Sequence, residues 1–258
     1  SHVLSIAWQH VATTADNNTA VGSRSGDSLT TGALNTFVGS NSGAAAATVS
    51  NNTAVGAYAF DAGTGADNTA VGSGALGGAS NSAASNTAVG KDAGNAISTA
   101  TNTVAVGYNA GVAITTGGNN TLVGYSAGDS ITTGQYNTAL GDRALPTATT
   151  VSNNTAIGYA ALYTNAAANN TAVGANALFA NTTGTRNVAV GASTLDALTT
   201  GTDNTAIGND ALTAATTGNY NIAVGTALAA TTTGGQNVAV GFAALGSNTT
   251  ASSNTAVG

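Results

Sequence analysis

Apolar and polar positions follow one another along this chain in a short phrase that returns fifteen times, each time as a variant of Asn-Thr-Ala-Val-Gly. The closing glycines fall at 22, 39, 56, 72, 90, 107, 124, 141, 158, 174, 191, 208, 225, 241 and 258, a step of 17 residues with slips to 16 or 18. A period this short is too small for a helical-hairpin repeat. It matches one coil of a β-solenoid, in which each repeat stacks on the next and buries a face it cannot bury alone. The pattern predicts an all-β chain, a parallel β-solenoid of about fifteen 17-residue coils over residues 17–258, with residues 1–16 as an N-terminal cap or junction.

Aligning the coils on their glycines shows what each phase accepts. Asn fills one column at Asn18, Asn35, Asn52, Asn68, Asn86, Asn120, Asn137, Asn154, Asn170, Asn187, Asn204, Asn221, Asn237 and Asn254, and Thr103 interrupts it. Asn tolerates left-handed backbone and bonds locally, so the column predicts a structural ladder at the strand entrances. The next phase is Thr in most coils and Val104, Val188, Ile222 or Val238 in others, and two residues on stands Val, Ile or Leu. Period-two logic puts these two columns on one face, and their apolar, β-branched character predicts that it is the inner one. The residue between them, Ala in all but two coils, is then expected to face outward. A small apolar outward column suits the packing of a second chain, with Ala20, Phe37, Ala54, Ala70, Leu122 and Ala139 as candidate interchain contacts.

Four residues past each glycine, a second pattern appears. This position is Gly at Gly26, Gly43, Gly94, Gly111 and Gly128, and in four of those five coils the residue three further on is large (Leu29, Ile97, Ile114, Ile131). Where the position is itself large, from Phe60 and Leu76 to Leu212 and Leu245, the later one is Gly, Ala or Asn except at Leu198. Such an exchange of volume predicts that both positions fill one close-packed corner of the coil. A Thr-Thr-Gly turn follows at Gly32, Gly117, Gly134, Gly184, Gly201, Gly218 and Gly234, where glycine is expected to supply a positive φ. Each coil is thus expected to contain two short strands and two turns.

Composition narrows the function classes. With 42% hydrophobic residues and a strict period the chain does not read as a disordered linker, despite 35 Gly and only 5% charged residues. The formal charge of −6, with Arg24, Lys91, Arg143 and Arg186 the only Lys or Arg, leaves nothing to neutralise a phosphate backbone, so nucleic-acid binding is disfavoured. No apolar run is long enough to span a bilayer as a helix, so membrane insertion is not expected. The chain begins at Ser and stops on a motif glycine, which reads as a piece of something longer.

Segments such as Asn154-Thr-Ala-Ile-Gly-Tyr-Ala-Ala-Leu-Tyr-Thr-Asn and Asn120-Thr-Leu-Val-Gly-Tyr-Ser-Ala-Gly resemble the repeats of phage tail-fibre proteins and related bacterial surface fibres. They are also similar to the head repeats of trimeric autotransporter adhesins, whose shorter coils carry an Asn-Ser-Val-Ala-Ile-Gly core. The resemblance covers about residues 17–258. It implies a parallel β-roll of three chains around one axis, in an extracellular, virion or cell-surface fibre that contacts a host or receptor.

Candidate chemistry is sparse. His2 and His10 lie before the first repeat with no carboxylate at metal-ligand spacing, and Ser and Thr lack a His partner within the repeats. Neither an enzyme nor a cofactor is expected. Asp27, Asp61, Asp129 and Asp196 share one phase but lack the Gly-Gly-x-Gly-x-Asp pattern of calcium β-rolls, and read as solvated turn residues. Aromatics at Tyr58, Tyr108, Tyr125, Tyr159 and Phe242 follow the turn glycine and are the candidate contacts for a cell-surface glycan, against a plainer role covering a seam between coils or subunits. Trp8, with Val3, Leu4 and Ile6, suits a solenoid cap. The leading expectation is a homotrimeric structural fibre segment. The alternatives are a carbohydrate-binding solenoid and an ice-binding one, the latter with the Thr-Thr-Gly turns as its face because the strand threonines are expected to be buried.

Overall fold

The computed structural model describes residues 16–78 and 81–258. The chain forms two compact units, Ser1–Gly134 and Gln135–Gly258. The cap read into residues 1–16 lies, but for Asp16, outside the described residues, as do Trp8, His2 and His10.

Both units are parallel β-solenoids, and the described residues contain no helix. The first unit carries β1 (Thr19–Val21), β2 (Thr36–Val38), β3 (Thr53–Val55), β4 (Thr69–Val71), β5 (Thr87–Val89), β6 (Val104–Val106) and β7 (Thr121–Val123). The second carries β8 (Thr138–Leu140), β9 (Thr155–Ile157), β10 (Thr171–Val173), β11 (Val188–Val190), β12 (Thr205–Ile207), β13 (Ile222–Val224), β14 (Val238–Val240) and β15 (Thr255–Val257). Within each unit every strand pairs in parallel with the next at identical phase, as in Thr19 opposite Thr36 and Thr171 opposite Val188. There is one three-residue strand per coil, where the sequence suggested two. The opposite wall also bonds coil to coil, for example from the Gly26 amide to the Ser42 carbonyl and from Ser28 to Ala44. Its residues alternate with left-handed ones such as Arg24 and Gly26, which breaks up the extended backbone that a strand needs.

The strand is turned over relative to the sequence-based expectation. Ala54, Ala70 and Ala139 point into the coil and are fully buried, as are Phe37 and Leu122 in the same column, while Ala20 in the first coil is half-buried. The flanking Thr and Val columns face outward. None of the six candidate interchain contacts is therefore an outward-facing contact. Period two correctly paired the columns but could not say which side is inside, because all three are apolar or nearly so. The opposite wall decides it. Leu145, Leu162, Leu178, Leu195 and Leu212 enter the interior from there, fully buried, and leave room for only a methyl group on the strand.

The exceptions confirm the shared volume. A Cβ added at Gly26 would lie 3.2 Å from the Phe37 ring, and one at Gly43 2.6 Å from it. Leu122 stands over Gly111 and Gly128 in the same way, each 2.8 Å from a Leu122 methyl. The expected exchange between the fourth and seventh positions is also present, since a Cβ at Gly111 would meet Ile114 Cδ1 at 2.8 Å. Three positions, not two, fill one core pocket. The large residues at the fourth position sit in left-handed backbone, Leu76 at φ 49 and Leu162 at φ 52. That conformation costs about 1–2 kcal/mol per residue, and burying a leucine contributes roughly 1.5–3 kcal/mol, so the side chain prevails. In the short coil after Gly225 the same role passes to Leu228, one residue early, and Gly225 relaxes to φ 91.

Two columns lock coil to coil. The glycine that closes each strand, Gly225 apart, sits near φ 130, as at Gly22, where a Cβ would lie 2.5 Å from the Gly39 carbonyl oxygen. Only glycine fits such a position. The Asn column forms the expected ladder: Asn35 Oδ1 accepts the Asn52 amide at 2.9 Å, and Asn187 Oδ1 accepts that of Asn204 at 3.0 Å. Most of the Nδ2 groups tie into the next turn, as Asn187 does to the Gly201 carbonyl at 2.8 Å, while Asn52 bonds back to the Ser50 carbonyl at 3.2 Å. The Thr-Thr-Gly glycines, by contrast, do not have positive φ. Gly218 is needed for another reason: a Cβ there would meet the Gly234 carbonyl oxygen at 2.5 Å.

Candidate functional site

With Ala inside, the outward strand face consists of two columns, Thr or Val at the first strand position and Val, Ile or Leu at the third. Eleven of the fifteen strands open on Thr. Val55, Val89, Leu140, Ile207 and Ile222 are among the exposed large hydrophobics, and no strand residue is charged. The strand backbone is fixed by bonds such as Thr19 N–H to the Asn35 carbonyl at 2.8 Å. β-Branched side chains on that backbone have few rotamers, so methyls and hydroxyls keep a regular order.

The Thr-Thr-Gly turns carry two more threonine columns: the second, as at Thr183, Thr200 and Thr217, is exposed with no hydroxyl bond to a carbonyl, and the first has its hydroxyls occupied. Thr182 Oγ1 donates to the Thr199 carbonyl at 2.9 Å, Thr199 to Thr216 at 3.0 Å, Thr216 to Thr232 at 3.2 Å, and in the first unit Thr115 to Thr132 at 3.2 Å. Among the described residues no strand threonine, from Thr19 to Thr255, makes such a bond to protein. The first turn column is part of the scaffold. The strand column has its hydroxyls free for solvent.

The five aromatic candidates are all exposed: Tyr58, Tyr108, Tyr125, Tyr159 and Phe242, the last to 83%. Tyr108 and Tyr125 stack with centroids 5.4 Å apart and planes 10° apart, and Lys91 Nζ lies 5.4 Å from the Tyr108 ring centroid. Rings stacked along the coil axis cover one another's faces and turn their edges to solvent. A sugar ring requires an open aromatic face, so this pair offers a poor platform. Tyr163 and Phe179 form a second stack, at 4.9 Å and 4°. It was missed in the sequence, although two aromatics at one phase in successive coils signal it. Tyr136 and Tyr220, also exposed, were missed too; they occupy the left-handed residue before the Asn column, at φ 57 and 56. Beside Phe179 an open cleft of about 370 Å³ is lined by Tyr159, Asn176, Phe179 and Asp196.

Charge is scattered. Burial raises the pKa of Asp196 above the usual carboxylate value, and likewise that of Asp61, where Arg24 opposes the shift. Arg186 grips Asp203 on the next coil in a bidentate pair, Nε to Oδ1 at 2.6 Å and Nη2 to Oδ2 at 2.7 Å, which lowers the pKa of Asp203 and raises that of Arg186. Among the described residues no three His, Cys, Asp or Glu side chains gather into a cation site, and no helix is long and apolar enough to cross a membrane. Against known proteins, no family model, curated protein or solved structure matches the chain.

Proposed function

We propose that this chain is a structural segment of a virion or cell-surface fibre, which holds an attachment element away from the surface that carries it. The Asn ladder is the observation that supports this most. It runs unbroken from Asn137 to Asn254 in the second unit and joins each coil to the next inside the core. The recurring Gly and Ala columns serve the same stacking, and the core positions that vary between coils keep one pocket filled. A chain built this way adds length coil by coil and needs no pocket. The resemblance of the repeats to fibre proteins points in the same direction. A three-chain assembly is part of what that resemblance implies, but it would need a face other than the inward Ala column.

The test is to delete two whole coils, residues 175–208, between equivalent glycines. A spacer stays folded, with an unchanged β-type circular dichroism spectrum, and shortens by about 10 Å, two strand spacings, in electron micrographs. A protein whose function lies in one local site gains nothing from such modularity, and collapse of the deleted chain would overturn the reading. Light scattering on the intact chain decides between one copy and three.

A further inference from the structure

We infer that the outward strand face binds ice. The inference does not depend on the fibre reading. It rests on the strand threonines, whose hydroxyls are unbonded to protein on an uncharged face that keeps one register from coil to coil, whereas the first threonine of each turn donates to a carbonyl of the next coil.

The geometry of that face is a grid. Along the stack, Thr and Val repeat at the strand spacing of about 4.8 Å, and along each strand the two columns stand two residues, about 6.6 Å, apart. Identical pairing phase keeps the grid in register within each unit, from β1 onward and from β8 onward. Each threonine presents a methyl, which water can only surround, beside a hydroxyl that can donate to and accept from that water. Methyls fixed at one height with hydroxyls at one spacing hold a first water layer in a repeating array, and a repeating array of water is what the surface of ice can extend. The four breaks in the column, Val104, Val188, Ile222 and Val238, keep the methyl and lose only the hydroxyl. The rigidity comes from below, where the Asn ladder and the close contacts at the Gly column prevent the coils from sliding.

A second protein chain fits the same face less well. Covering it would bury up to six threonine hydroxyls in the first unit or five in the second, each costing about 1–3 kcal/mol unless the partner bonded to it. The strands also lack the aromatic and Arg anchors that make protein interfaces strong. A glycan finds no open ring among the strand residues.

The experiment uses the full chain at micromolar concentration and reads thermal hysteresis, ice-recrystallisation inhibition and capture of dye-labelled protein on a growing ice hemisphere. All three are expected to be positive. The double variant Thr171→Lys, Thr205→Lys places two charges on the second unit's face and should lose most of the activity, while retaining the parent's circular dichroism and melting curve. Thr171→Val, which copies a residue this column already accepts, should fold normally and lose less. Ala166→Lys, on an exposed turn position, is the control and should change nothing. The inference is overturned if the intact chain has no effect on ice, if Ala166→Lys is as damaging as the strand variants, or if light scattering shows an assembly that the Thr171→Lys, Thr205→Lys variant breaks apart.

Discussion

Most coils of the two units meet the same packing demand by different means, Phe60 and Leu76 in the first unit following the pattern of the second. In the first, three successive coils put Gly at the fourth position and Ile at the seventh: Gly94 with Ile97, Gly111 with Ile114, Gly128 with Ile131. In the second, Leu145, Leu162, Leu178, Leu195 and Leu212 enter from the fourth position in left-handed backbone and the seventh is mostly small or polar. The Gly–Ile solution puts glycine in the strained conformation, where it costs least, and delivers the volume from a residue outside the left-handed positions. The Leu solution accepts strain to place the side chain. Their ladders differ as well. The first unit's Asn column is interrupted at Thr103, whose amide still bonds to Asn86 Oδ1 at 2.9 Å, whereas the second unit's runs through. What they share without exception is the glycine that closes each strand. A core pocket can be filled from several directions, but a backbone contact at 2.5 Å allows one residue type.

That shared feature is the place to break both units most severely. Gly158→Ala would set a methyl 2.6 Å from the Gly174 carbonyl oxygen at φ 129, and should cost about 4 kcal/mol, as positive-φ strain compounded by overlap does, read as a lower urea midpoint. The comparison of cores is tested by exchange. Leu145→Gly alone should cost about 3 kcal/mol, lost core volume less the strain relieved. Adding Ala148→Ile rebuilds the first unit's arrangement and should recover most of that loss. If the double variant is no better than the single, the two positions do not share a pocket. In the unbroken ladder, Asn187→Ala leaves the Asn204 amide and the Gly201 carbonyl without their buried partner and should cost about 3 kcal/mol. Thr103→Asn, which repairs the first unit's ladder, should stabilise by about 1 kcal/mol.

The smallest effects are electrostatic. Asp203 has a lowered pKa, so its contribution is present above its unfolded value and disappears as pH falls through the folded one. Asp196 and Asp61, at one phase in the two units, have raised pKa values, so theirs is present at low pH and lost as pH rises and the half-buried carboxyl must ionise. Carboxyl NMR titration should find Asp196 titrating above Asp203. Equal midpoints would contradict the placement of both. Asp196→Asn should raise stability slightly at neutral pH and Asp203→Asn should lower it slightly.

Much of the scaffold was legible because stacked repeats make one chain its own alignment. The period, the Asn ladder and the volume exchange between the fourth and seventh positions all read directly from which residues each phase accepts. The candidate ice face did not. Period two grouped Thr19 with Val21 and set Ala20 opposite, but hydrophobicity ranked the wrong side as inner, because a coil this thin is filled mainly from its other wall. The same misplacement sent attention to the Thr-Thr-Gly turns, where the first threonine's hydroxyl turns out to be bonded to the next coil. Nothing in the residue types separates Thr182 from Thr171; only the position of the neighbouring carbonyl does.

The sequence by itself determined the fold class, the length of the coil and the columns that stack, because these depend on local backbone needs and on a period that repeats fifteen times. The tertiary structure alone decided which face is inside, which glycines serve conformation and which serve clearance, and which hydroxyls remain free. Those outcomes depend on the distance between neighbouring coils and on how much volume the far wall supplies, and neither quantity is carried by any single repeat.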